Sequence, residues 1–235
     1  MQLGGIMTPR EKFDLSLLPD RPDLTYEREL WNKGLKYVAG VDEAGRGALA
    51  GPVAAGAVVL TGDAPDLFEQ LHGVRDSKEM TPEDREEWAA VVKKTALAWG
   101  VGFASKDEID EFGIAPATCL AASRALEKLT CAVEHILVDY ITLPDVKVPQ
   151  TPLVKGDARS LSIAAASILA KTTRDALLVE MEGEYPGYHF VSNKGYATKQ
   201  HLGAIDALGP CEAHRCSFSP IAEYYSLFPP NGADN

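Results

Sequence analysis

The sequence predicts an α/β fold: a mixed central sheet flanked by helices, with a helical C-terminal segment. Three observations lead there. Two Val-rich apolar runs, Tyr37–Glu43 and Val53–Leu60, come early and are divided by a glycine-rich turn. Short apolar strands then alternate with stretches of helical periodicity, the pattern of helices packed on a sheet. Finally, the 235 residues contain no internal repeat and no linker that splits the apolar segments, and one sizeable core accommodates that length.

In chain order, residues 1–25 are Pro-rich and polar and read as a flexible arm, residues 26–228 as one domain and residues 229–235 as a disordered tail. "TYERELWNKGLKY" predicts a short helix stopped by Gly34. Tyr37–Glu43 and Val53–Leu60 are strands, and "AGRGALAGP" turns between them. Thr81-Pro82 opens a helix that runs to about Lys94: Thr caps, Pro suits the first turn, and Glu83, Asp84, Glu86 and Glu87 favour the positive helix end. "ALAWGVGFAS" is a third strand, and Lys106–Phe112 and Pro116–Leu129 are helices. "HILVDY" and "TPLVKGDA" read as strands ending in Asp139 and Asp157. Ser160–Glu182 is a long helix whose small-residue face suits close packing on a sheet, and Gly183–Gly195 is a loop. Thr198–Leu208 is a helix ended by Gly209-Pro210, and Ser219-Pro220 caps a last one.

Acids outnumber bases 34 to 23, a net charge of −11, which taken alone argues against a nucleic-acid partner. The acids, however, crowd into segments such as Asp63–Glu87, whereas Lys155, Arg159, Lys171, Arg174, Lys194, Lys199 and Arg215 all lie in the second half, leaving room for a local basic face. The N-terminal stretch lacks the apolar core of a secretory signal. The runs Leu49–Leu60 and Ser162–Ala170 fall short of the roughly 20 residues of a membrane helix. The expectation is a monomeric cytoplasmic protein with no membrane contact. Cys119, Cys131, Cys211 and Cys216 make no dense disulfide framework and read as reduced thiols. Cys211 and Cys216 flank His214, a weak hint of zinc without a second pair at finger spacing.

The chemistry-bearing pattern is a carboxylate at the end of an apolar strand, seen at Asp42-Glu43, at Asp139 and at Asp157. Charges there are partly desolvated and costly unless paired or metal-bound. Ligands gather at strand ends in open α/β sheets. Four converging carboxylates repel one another unless a cation intervenes, and hard oxygen ligands suit Mg²⁺ or Mn²⁺. Two such ions about 3.5–4 Å apart activate a water and stabilise the leaving oxygen of a phosphodiester. A single Asp at a strand end is usually a turn or cap residue, which covers Asp139 and, as a cap of the following helix, Asp157; the Asp42-Glu43 pair is harder to dismiss, its bland alternative being a salt bridge to Arg46. The Gly45-Arg46-Gly47 turn lets backbone approach a ligand while Arg46 offers a fork for phosphate or carboxylate; no Gly-Lys-Ser/Thr follows, so it is not a P-loop.

"VDEAGRGALAGPV" resembles the signature of the type 2 ribonuclease H family, specifically ribonuclease HII. "DSK" at Asp76–Lys78, "LVDY" at Leu137–Tyr140, "GDARSLSIAAASILAKTTRD" at Gly156–Asp175, "NKGYATKQH" at Asn193–His201 and "GPCEAHRCSFSP" at Gly209–Pro220 extend the resemblance over roughly residues 27–220. The resemblance implies a ribonuclease H-like fold. It also implies a metal-dependent endonuclease that cuts RNA in RNA–DNA hybrids and incises at ribonucleotides embedded in duplex DNA, leaving 3′-hydroxyl and 5′-phosphate ends. It places the four metal ligands at Asp42, Glu43, Asp139 and Asp157. It makes Gly45, Arg46 and Gly47 contacts to the 2′-hydroxyl and backbone of the ribonucleotide, and Tyr196 the sensor of its sugar. A 2′-hydroxyl is what separates RNA from DNA at one position. Lys78, Lys171 and Arg174 are expected phosphate contacts. Tyr140 departs from the family's usual small residue after the third acid. Arg46, where ribonuclease HIII usually has Lys, and the short arm argue against that sister type. The rival readings are a DNA-only nuclease or strand transferase of the same broad fold, and a non-catalytic hybrid-binding module.

Overall fold

The computed structural model describes Asp14, Ser16 and residues 18–227. Five strands among them, β1 (Val38–Ala44), β2 (Val53–Val59), β3 (Ala98–Ala104), β4 (His135–Asp139) and β5 (Gln150–Leu153), form one sheet in the order β3-β2-β1-β4-β5. β2 is antiparallel to both β1 and β3, while β4 is parallel to β1 and to β5. The sheet is therefore mixed, as the sequence predicts, and β1 is its central strand.

The helices are α1 (Thr25–Asn32), α2 (Leu67–Gln70), α3 (Pro82–Thr95), α4 (Lys106–Phe112), α5 (Ile114–Glu127), α6 (Leu161–Glu184), α7 (Phe190–Asn193), α8 (Lys199–Leu208) and α9 (Ile221–Leu227). The start of α3 forms as its residues dictate, with Thr81 accepting from the Asp84 N–H and Pro82 in the first turn.

Both faces of the sheet are covered, which is why its strands are apolar throughout rather than alternating. α6 crosses one face. Val58 and Val101 pack there against Leu161, Ala165, Ile168 and Leu169, with Ala89 and Val92 of α3 closing the outer side. α5 covers the other face, where Val41, Ala55 and Ala57 meet Ala117, Ala121 and Ala125. α6 lies unusually close: a Cβ on Gly40 would sit 2.2 Å from the Ser162 carbonyl carbon, and one on Gly56 2.2 Å from the Ala166 oxygen. Glycine on the strands and Ala or Ser on the helix together set that spacing. A third cluster, built from Leu178, Tyr188, Phe190, Ala204, Ile205 and Ile221, docks the C-terminal helices beside the β1–β2 turn.

Several sequence expectations change. β5 ends at Leu153, Lys155 adopts a left-handed φ of 58°, and Asp157 lies in a 3-10 turn, Gly156–Ala158, rather than at a strand end. The stretch expected as a loop, Gly183–Gly195, holds the last two residues of α6 and the short α7. α5 begins two residues before Pro116, and α2 was not foreseen. At the end of the expected arm, Asp23 bridges to Ser160 and Leu24 is buried, so residues 23–24 belong to the folded body. The expectations for residues 1–13, 15, 17 and 228–235 lie outside the described residues. Among the described residues no helix is long and apolar enough to cross a membrane.

Candidate active site

β1 and β4 run parallel, and Val41 pairs with Val138. Asp42 and Asp139 follow one step later, at the same end of two neighbouring strands. Strand alternation puts Gly40 and Asp42 on the α6 face, and Leu137 and Asp139 likewise. The turn carrying Asp157 is tied to this point by the Gly156 N–H, which donates to Asp139 Oδ1 at 2.7 Å. One carboxylate oxygen from each of Asp42, Asp139 and Asp157 therefore falls within 4.8 Å of the others.

Two of these acids are held where water cannot screen them, Asp42 at 5% exposed and Asp157 at 1%, while Asp139 is half-buried. Burial, then the charges of Glu43 and Asp139, raise the Asp42 pKa well above the ordinary carboxylate range. Burial first, with Asp157 and Glu43 adding, lifts Asp139 to about 6 against the opposing Gly156 hydrogen bond. Asp157 Oδ2 accepts from Lys78 Nζ at 2.7 Å, while Asp157 Oδ1 is buried without a hydrogen-bond partner. Lys78 is brought in by its neighbour Ser77, whose hydroxyl lies 2.9 Å from that of Ser167 on α6. Burial works against the Lys78 charge, yet the bond to Asp157 and the surrounding acids hold its pKa above the usual value. Buried like charges with an orphaned oxygen, all hard donors, fit a divalent cation such as Mg²⁺ or Mn²⁺. Lys78 neutralises only one of the three.

Glu43 points to the opposite face of β1 and stands outside the 4.8 Å group. Its Oε1 accepts from Arg46 Nη1 at 3.1 Å, the ion pair that the sequence left open. It remains near enough for its charge to raise both Asp42 and Asp139.

The Gly45-Arg46-Gly47 turn borders the acids. Gly45 has φ +88°, and a Cβ there would lie 1.9 Å from Arg174 Nε. At Gly47 the same test meets nothing within 4 Å, so this side of the turn is open. Leu49 N–H donates to Gly195 O at 2.7 Å, which fixes the turn beside Tyr196. The half-buried Tyr196 ring has Lys171 Nζ and Arg174 Cζ each 5.5 Å from its centroid.

The expected phosphate contact through Arg174 is corrected. Arg174 is fully buried, and its guanidinium donates to Pro52 O at 2.9 Å, Lys194 O at 2.9 Å and Ala50 O at 3.1 Å, leaving it inside the protein as a brace for the turn. Lys171 is partly buried and engaged with Asp175 at 2.7 Å. Tyr140 adopts φ 62° and is 58% exposed. Cys211 Sγ lies 3.2 Å from His214 Nδ1, whereas Cys216 is exposed and turned to the His214 carbonyl, so the two thiols do not share one metal-ligand geometry. His201, His214 and Arg215 are all fully buried next to the turn; the sequence marked His214 only as a weak zinc hint and Arg215 only as one of the second-half bases, and His201 only by its place inside a quoted motif.

A family model described as Ribonuclease HII matches residues 39–221. A ribonuclease HII of Moorella thermoacetica is 52% identical over 193 residues, covering 82% of this chain and 91% of that protein. One from Anaeromyxobacter sp. is 49% identical over 209 residues and 89% of this chain; the chain spans 65% of that longer relative. The crystal structure of ribonuclease H2 from Pyrococcus horikoshii superposes with a TM-score of 0.67 at 26% identity, over 82% of this chain and 98% of that one. The chain belongs to the ribonuclease HII family, metal-dependent endonucleases that hydrolyse the RNA strand of RNA–DNA hybrids.

Proposed function

We propose that this chain incises duplex DNA 5′ of embedded ribonucleotides and cuts the RNA strand of longer hybrids, leaving 3′-hydroxyl and 5′-phosphate ends. It would thereby remove misincorporated ribonucleotides and RNA primers, as a monomer in the cytoplasm. The observation that carries this reading is the convergence of Asp42, Asp139 and Asp157 within 4.8 Å beside an open Gly-rich turn.

Asp42, Asp139 and Asp157 would hold the divalent metal, with Glu43 as a fourth ligand from the other face of β1. Mg²⁺ or Mn²⁺ bound there would supply Lewis-acid polarisation of the scissile phosphate and of an attacking water. The chain's residues do the placing. Lys78, with a side chain 70% exposed, keeps donors free for a phosphate oxygen while bonded to Asp157. Arg46 pairs with Glu43 through one nitrogen and offers its remaining donors to the nucleic-acid backbone. Backbone groups at Gly45-Arg46-Gly47 meet the 2′-hydroxyl, and Tyr196 packs against the neighbouring sugar. Lys171 acts on Tyr196, where its ammonium stands over the ring, rather than on a phosphate.

The test is cleavage of a long RNA–DNA hybrid with and without Mg²⁺ or Mn²⁺, with product ends mapped. Metal-dependent fragments bearing 3′-hydroxyls support the reading. Cyclic-phosphate ends, or cutting in a chelator, would reject it.

A further inference from the structure

We propose that the adjacent buried residues His214 and Arg215 are positioning residues that aim the ribose-reading parts of the site, Arg215 acting on the Gly45-Arg46-Gly47 turn and His214 on Tyr196. This rests on the reading of that turn and Tyr196 as the groups that meet the ribonucleotide.

Arg215 has no exposed surface, and all its bonds go to one turn: Nε to Gly51 O at 2.9 Å, Nη1 to Arg46 O at 2.8 Å and Nη2 to Gly45 O at 2.8 Å. No carboxylate among the described residues lies within ion-pair distance of it. Burial and the nearby Arg174 pull its pKa down to about 9, so at neutral pH it keeps its charge. A trans peptide points its C=O and N–H in opposite directions. With the Gly45 and Arg46 carbonyls turned onto Arg215, the Arg46 and Gly47 N–H groups face the other way. Neither has a hydrogen-bond partner among the described residues, and Gly47 is exposed on the open side of the turn. Two successive N–H donors backed by a buried cation form a concavity suited to a hydroxyl or phosphate oxygen.

His214 reaches the second reader. Cys211 N–H donates to His214 Nδ1 at 2.9 Å, His214 Nε2 lies 3.1 Å from His201 Nε2, and His201 Nδ1 lies 2.9 Å from the Tyr196 carbonyl. The protons are assigned by elimination. A carbonyl only accepts, so His201 Nδ1 carries hydrogen; an amide only donates, so His214 Nδ1 is bare. His214 Nε2–H must then donate to His201 Nε2. His214 Nδ1 also lies 3.2 Å from the Cys211 carbonyl, a longer contact than the 2.9 Å approach of the Cys211 N–H, so the amide donor sets the tautomer. Both imidazoles are neutral in this chain, consistent with burial depressing both pKa values, His214 to about 4. The relay runs from the loop before α9 to the backbone of Tyr196.

The experiment uses the whole chain and two duplexes that differ by one 2′-hydroxyl, with affinity measured in Ca²⁺. The variants are Arg215→Lys and His201→Gln. Each should lower the ribo-over-deoxy preference by about ten-fold while the all-DNA affinity moves by less than about two-fold. The cation-induced rise in melting temperature, which depends on the acids, should stay as in wild type; a merely structural lesion would move it. The wild-type Arg46 and Gly47 amide resonances should shift with the ribonucleotide duplex and not with its deoxy twin. Wild-type preference retained by either folded variant overturns the positioning role alone, as do unresponsive amides in a wild type that discriminates. A wild type with no preference overturns the reading beneath it as well. Should Arg215→Lys not fold, His201→Gln and the wild-type amides decide.

Discussion

Asp42 and Asp139 stand side by side on parallel strands, one step past the Val41–Val138 pair, and share the α6 face. Topology thus forces two like charges together at the end of the apolar sheet, and Asp157 joins them through the Gly156–Asp139 hydrogen bond. The cluster is unfavourable as it stands and becomes favourable with a divalent cation.

Asp42→Asn should lower hybrid cleavage by at least about 10²–10³-fold. It should leave the fold intact and raise the metal-free melting temperature, because a buried like charge is removed. Wild-type turnover by this variant contradicts the metal role; a fall in metal-free stability contradicts the electrostatic account. Thermal melts and a single-turnover assay read both.

The pH dependence of metal-free stability has a defined sign. Asp139 titrates near 6 when folded, above its ordinary 3.8. Between those values the folded chain binds more protons than the unfolded one, so this group's contribution falls as pH rises through the window. His214, held down to about 4, tilts much of the same range the opposite way. The comparison is therefore wild type minus Asp139→Asn: the difference should show wild type losing relative stability from pH 4 to 6. The melting-temperature gain on adding Mn²⁺ should be larger at pH 7.5 than at pH 5. A gain independent of pH contradicts the assignment.

Gly45→Ala and Gly47→Ala should separate fold from function. At Gly45, φ +88° and contact with Arg174 make alanine destabilising by about 1–3 kcal/mol. At Gly47 a methyl meets open space. Gly47→Ala should melt like wild type while losing about ten-fold or more in single-ribonucleotide incision, since it intrudes where the substrate approaches. Equal activity of Gly47→Ala and wild type contradicts the close approach.

Gly40→Ala or Gly56→Ala should destabilise by about 1–3 kcal/mol or more, because each Cβ would press on α6 backbone at 2.2 Å. Denaturant melts check this, and a neutral effect contradicts the packing.

What was legible in the sequence was whatever a local pattern encodes. The β1–β2 pair, the Thr81-Pro82 cap and the small-residue face of α6 follow from spacing and residue type. The juxtaposition of Asp42 and Asp139 follows from two apolar strands that each end in an acid. Strand alternation also held a signal that was not used: Asp42 and Glu43 are successive, so they point to opposite faces. The turn at Asp157 was illegible because its break is a left-handed Lys155, where the residue type gives no cue. Arg174 looked like a phosphate contact because an arginine's burial depends on which distant carbonyls surround it, here those of Ala50, Pro52 and Lys194. Arg215 and the His201–His214 pair were hidden for the same reason.

The most direct measurement is cleavage of a DNA duplex holding one ribonucleotide beside its all-DNA twin, in Mg²⁺ or Mn²⁺ and in chelator. The account predicts one metal-dependent cut 5′ of the ribonucleotide and an untouched twin. Equal cutting of both duplexes, or a cut that survives the chelator, would contradict it.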